Sequence, residues 1–94
     1  MLEVSVVLAS VRIDGLSLRF QHGVLVTSAH QWHVALFEIH PAQMARELCS
    51  VIVETVSGEH LGGMARAERT ATDGSFLMLA GWGALDPVGL INAA

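Results

Sequence analysis

Five histidines, one cysteine, nine carboxylates and two tryptophans carry most of the chemistry open to this 94-residue sequence. The densest group is His30-Gln31-Trp32-His33, with Glu38 and His40 downstream. Metal ligation needs neutral imidazoles converging about 2 Å from one ion, and residues three apart on a strand point to opposite faces. His30 and His33 can therefore share a metal only if the chain turns between Ser28 and Gln31. Otherwise His30 belongs to a loop and His33 packs its ring along a strand. No convergent ligand motif accompanies them, so no metal and no cofactor is assigned, and a metal-dependent enzyme built on His30 and His33 stands third among the functional readings.

Cys49 could act as a nucleophile only beside a base that lowers its pKa. It follows a stretch expected to be helical, whose C-terminal dipole would disfavour a thiolate, so the expected role is that of a small buried hydrophobe. Arg66 and Glu68 are two apart, on one face of a strand, and read as a solvated pair rather than a binding site for an acidic ligand. His22 and His60 lie beside glycine-containing turn signals and read as solvated. The carboxylates include no pair spaced for general acid and base work, and Gly62-Gly63 and Gly81-x-Gly83 do not sit between a strand and a helix as a phosphate loop requires. No catalytic residue is assigned. Trp32 and Trp82 are expected first in the core. An indole in a barrel mouth can also floor a ligand pocket with its N–H as the polar handle, so the ligand-binding candidates are Trp32, His33, Phe37 and Trp82.

The elements that must position these residues are strands. Asp73 to Leu85, DGSFLMLAGWGAL, opens on an Asp-Gly turn signal and carries Phe76, Met78, Ala80 and Trp82 on one parity and Leu77 and Leu79 on the other. Such a strand is apolar on both faces. Trp32 to Ile39 has the same two-faced character, with Trp32, Val34 and Leu36 against Ala35, Phe37 and Ile39. Near the start, Val4, Val6 and Leu8 share one parity and Val11 and Ile13 the other, so a β-bulge at Ala9-Ser10 is expected to bring both halves onto one core. Asp14-Gly15 is a hairpin signal, followed by Leu16, Leu18 and Phe20 inward and Ser17 and Arg19 outward. His22-Gly23 reads as a turn into Val24–Thr27, and Ser28–Gln31 as the next loop. Pro41 to Leu48 reads as a two-turn helix, Ser50 to Val56 as a strand, and Gly62-Gly63 as a bend or bulge. Ala65, Ala67 and Ala71 face inward on the next strand, which leaves the core before Arg69.

Six or seven short strands with one helix near 41–48 predict a mainly β fold, a small antiparallel β-barrel, with a β-sandwich as the alternative. The order of several strands, a helix and further strands resembles that of oligonucleotide-binding folds, a likeness of topology that implies no function. The chain is expected to form a single domain over 1–94, with 86–94 as a frayed tail.

Composition bounds the function. Five arginines, no lysine and a net charge of −4 exclude a nucleic-acid surface, since phosphate binding needs clustered positive charge. The opening MLEVSVVLAS has no basic leader, no run reaches the ~20 apolar residues of a bilayer-crossing helix, and the single cysteine suits a reducing compartment, so a cytoplasmic location without membrane attachment is expected. Apolar residues make up 52% and charged ones 15%, against about 45–50% and about 25% in ordinary domains. That excess predicts that the chain's partner is itself, as a homodimer or higher oligomer acting as a non-enzymatic binding or assembly module. A barrel that binds a small apolar ligand behind Ala65 to Ala71 is the alternative.

Overall fold

The computed structural model describes residues 3–40, 48–71 and 75–88. Six strands form a closed antiparallel barrel: β1 (Val4–Ile13), β2 (Leu16–Thr27), β3 (Trp32–His40), β4 (Cys49–Thr55), β5 (His60–Thr70) and β6 (Phe76–Pro87), in the cyclic order β1-β2-β3-β6-β5-β4. β1-β2-β3 and β4-β5-β6 are each a meander, and the two close on one another through β3 against β6 and β1 against β4. Closure rules out the sandwich alternative and removes most of the free sheet edge, although among the described residues β6 runs on past its β3 partner beyond Ala80.

Local chemistry explains the corners. Asp14 and Gly15 both have positive φ, 51° and 84°, as the mirror-image turn of a two-residue hairpin demands. The Asp14 carboxylate accepts a hydrogen bond from the Ser50 N–H at 2.9 Å, tying this hairpin tip to β4. In β1 the bulge lies where the parity changes: Leu8 pairs with Thr55 and Ser10 with Glu54, so Ala9 is the extra residue, and Leu8, Val11 and Ile13 all reach the core. A register shift also falls between Gly62 and Met64, and another between Ala67 and Arg69, after which Arg69 is exposed.

Three local expectations are corrected. His22-Gly23 is no turn, because β2 runs unbroken through it. Gly23 is buried opposite Leu36, and a Cβ there would lie 2.7 Å from the Phe20 ring; this glycine serves close packing. Leu16 is exposed at the start of its strand, although Leu18 beside it is buried. The tail expected to fray over 86–94 is paired at its start, since Asp86 and Pro87 pair with Gly62 and Leu61 and the Val88 N–H donates to the His60 carbonyl; residues 89–94 lie outside the described residues. The helix expected at 41–48 falls on residues 41–47, which lie outside the described residues; Leu48 is exposed and leads into β4.

The core is the barrel interior, filled by Val11, Leu25, Val34, Leu36, Val51, Val53, Leu77 and Leu79 from all strands but β5, which adds Ala65. Thr55, the buried polar residue of this interior, has its hydroxyl bonded to the Ser57 hydroxyl and to the Glu59 N–H, so its burial carries no orphan group.

Candidate functional site

Residues paired across antiparallel strands share a face, so the register shows what each side of the barrel wall presents. His33 lies between Val26 and Ala80, Ala35 between Val24 and Met78, and Phe37 between His22 and Phe76. These rows face outward, since the alternating Trp32, Val34 and Leu36 are buried. They continue to Ser5 and Val7 on β1, and to Arg66 opposite Ala80, Arg69 opposite Met78 and Met64 opposite Trp82 on β5. The result is a contiguous outer wall of apolar groups: Val7 is 46% exposed, Phe37 37%, Met64 39% and Trp82 59%, with Val24, Val26, Ala35, Phe76, Met78 and Ala80 half-buried among them.

The wall is ordered by ring contacts. Phe37 and Phe76 meet at 5.3 Å between centroids, tilted by 48°, and His22 lies 5.8 Å from Phe37. At the other end the Arg66 guanidinium sits 5.5 Å from the Trp82 ring, within cation–π range. Three of the four ligand-binding candidates, His33, Phe37 and Trp82, thus lie on one outward surface. Trp32 points the other way, into the barrel. The core position expected for Trp82 is corrected: with both parities of β6 apolar, Leu77 and Leu79 took the interior and the indole faces solvent.

Trp32 is buried at the barrel end, and its ring lies over Gly81, where a Cβ would collide with it, and against Gly63, where a Cβ would stand 3.0 Å from it. Its Nε1–H donates to the Gly83 carbonyl at 3.0 Å. The small residues of β5 and β6 therefore make room for an indole. Beside it opens a cleft of about 520 Å³ lined by the Ser28–Gln31 loop, Leu61 and Gly83–Leu85. His30 is exposed in that loop, while His33 stands on the outer wall, so the turn that could have brought the two together instead parts them. Among the described residues no three of His, Cys, Asp and Glu converge to hold a metal ion.

The side formed by β1, β4 and β5 is polar. Ser10, Arg12, Ile52, Glu54, His60 and Val88 line a cleft of about 260 Å³. The Ser10 hydroxyl donates to Glu54 at 3.2 Å, and His60 Nε2 lies 3.7 Å from the other oxygen of the same carboxylate. Nucleophilic catalysis needs the imidazole between hydroxyl and acid. Here the carboxylate is central, so the serine has no base. Sequence spacing gave no hint of this cluster, in which Ser10 lies 44 residues from Glu54.

No family model, curated protein or solved structure matches the chain. The wall and the clefts must therefore be read from their own chemistry.

Cys49 is buried and its thiol donates to the Ala65 carbonyl at 3.3 Å. Burial, and after it the Asp14 carboxylate, push this thiol above its ordinary pKa. The folded state thus holds the proton more tightly than the unfolded chain. The resulting stability is fully present below about pH 8.5 and is lost as pH rises from there through the folded value. Thermal unfolding between pH 7 and 10.5 is expected to show this decline, and Cys49→Ala to flatten part of it. Iodoacetamide should label Cys49 in urea and leave it unmodified in the native protein.

Proposed function

We propose that this protein is a non-enzymatic binding or assembly module whose working unit is a self-associated barrel, joined through the outer wall of β2, β3 and β6. The observation that carries this reading is the contiguous row set Val7–Val24–Ala35–Met78 and Phe37–Phe76, capped by a Trp82 that is 59% exposed. Strand spacing and rise give this wall a span of about 20 Å by 20 Å, roughly 400 Å². The wall has the size of the largest apolar patch on an ordinary monomer, about 300–600 Å² and often functional. It is about half the ~800 Å² per partner of a standard interface, so its polar rim would have to supply the other half. A second copy is the occupant that needs nothing beyond this chain, and a two-fold contact sets the same patch against itself.

The aromatic content fits a hot-spot role, since Trp, Tyr and Arg dominate binding energy at such surfaces. Against a ligand-binding barrel stands the packed interior: the space beside the small residues of β5 and β6 is taken by Trp32, whose polar handle is already bonded. A small apolar ligand would be left with the open cleft at the barrel end.

Tryptophan quenching tests the reading on the unaltered protein. Trp32 is 4% exposed and Trp82 59%, so dilute protein should show one protected and one acrylamide-accessible indole. Raising the concentration into the high micromolar range is expected to protect the second. An accessible fraction that stays constant with concentration would count against the wall as a self-association surface.

A further inference from the structure

Where β3 and β6 part, the barrel wall opens on one side. Their ladder ends at His33–Ala80, yet β6 continues to Pro87 and, among the described residues, beyond Ala80 pairs with β5 alone. The opposite bank is the Ser28–Gln31 loop, and Trp32, Leu61 and Leu85 supply the apolar lining of the 520 Å³ cleft between them. The opening is built in: the Trp32 ring occupies the space over Gly81 and Gly63 and its N–H takes the Gly83 carbonyl, so β3 cannot close on β6 there.

The β6 bank offers main chain and almost no side chain. Successive peptide groups of a strand face alternate sides. The Ala84 carbonyl lies toward β5, 2.6 Å from where a Cβ of Gly63 would stand, and the Gly83 carbonyl lies toward Trp32. Gly83, Ala84 and Leu85 together oppose Gly63, with Gly83 at φ 85°. Beyond this bulge the Val88 N–H donates to the His60 carbonyl on the β5 side, so the Leu85 peptide groups, of opposite parity to Val88, face the cleft. Sheet edges are ordinarily blunted by charge or proline. Here Asp86 and Pro87 stand at the far end of the unpaired stretch, next to Leu85, and Gly83 and Ala84 carry no bulky or charged side chain where the cleft lies.

We propose that this cleft is a strand-addition groove that takes a short extended segment of a partner polypeptide. The segment hydrogen-bonds to the Leu85 main chain and sets one apolar side chain against Trp32 and Leu61. Main-chain groups on one bank and an apolar floor are the two components of such recognition, and a small apolar molecule would leave the main-chain groups unused. The groove lies at the barrel end, apart from the outer wall, and does not depend on self-association.

The test is an amide-detected NMR titration of the full chain with the capped pentapeptide acetyl-Val-Thr-Val-Thr-Val-amide, and with the same peptide N-methylated at alternate residues. Saturable shifts of the Leu85 amide and the Trp32 indole N–H are expected with the first peptide and not with the second. Ala84→Arg, an exposed substitution that fills the groove, is expected to weaken the response at least tenfold with the rest of the spectrum unchanged. No shifts at millimolar peptide, equal shifts from both peptides, or shifts confined to the outer wall would each overturn the proposal.

Discussion

Gly81→Ala is expected to be the most damaging single methyl group in this protein. The added Cβ would fall within the Trp32 ring, so the indole must leave its place, giving up the hydrogen bond to Gly83 and much of its burial. Overpacking of this kind costs about 3 kcal/mol, which in a domain of this size lowers the melting temperature by roughly 15 °C. The partner residue supplies the check. In a Trp32→Leu background the ring is gone, so the same glycine substitution should cost under about 1 kcal/mol. The coupling between the two changes measures the contact directly. Additive effects would mean that the indole does not lie on Gly81. Gly63→Ala, whose Cβ would also meet the Ala84 carbonyl, is expected to behave similarly but to be less fully rescued, because that carbonyl remains.

The second large effect concerns association. Phe37→Glu and Met78→Glu place carboxylates in the middle of the apolar wall, on residues whose side chains face outward. In the free barrel they meet water, so the fold should stand, with unfolding midpoints within a few degrees of the parent. In the associated state the carboxylate of Phe37→Glu would be desolvated without a cationic partner, a penalty of several kcal/mol, whereas that of Met78→Glu has Arg69 opposite it and should cost less. The dissociation constant should therefore rise at least about 100-fold for Phe37→Glu, since 1.4 kcal/mol is a factor of ten. Ile52→Glu, on the polar side beside Glu54 and Arg12, is the matched control and should leave association unchanged. Equal effects from both walls would point to general destabilisation instead.

Much of the barrel was legible in the residues, because period-two alternation, an Asp-Gly turn and a parity change each have one physical meaning. The shift from Leu8 to Val11 could be reconciled with one core only by an extra residue, and Ala9 is that residue. Other features had no local signal. Gly23 resembles a turn glycine until Phe20 is seen lying over it. In β6 both parities are apolar, so nothing within the strand says whether Leu77 and Leu79 or Phe76 and Met78 go inward. The decision belongs to partners distant in sequence, the rows Val34–Leu79 and Leu36–Leu77. The placement of Trp82 was lost for the same reason. The candidate residues His33, Phe37 and Trp82 do fall on one surface, because residues chosen from apolar two-faced strands collect where those strands adjoin. The Trp32–Gly81 contact spans 49 positions, and the groove beside it follows from that contact, so neither could be read from spacing.

No helix among the described residues is long and apolar enough to cross a membrane, and the apolar excess that the composition shows is carried instead by the outward rows of strands that also fill the core. Self-association is thus the claim on which the rest turns. Equilibrium sedimentation of the unaltered chain, from about 1 to 300 μM, addresses it without any substitution. The mass should climb from the 10.0 kDa of one chain to a dimer or a larger symmetric multiple of it, with a dissociation constant inside or below that range. A mass that holds at 10.0 kDa throughout would leave the apolar wall uncovered by its own kind and contradict the account.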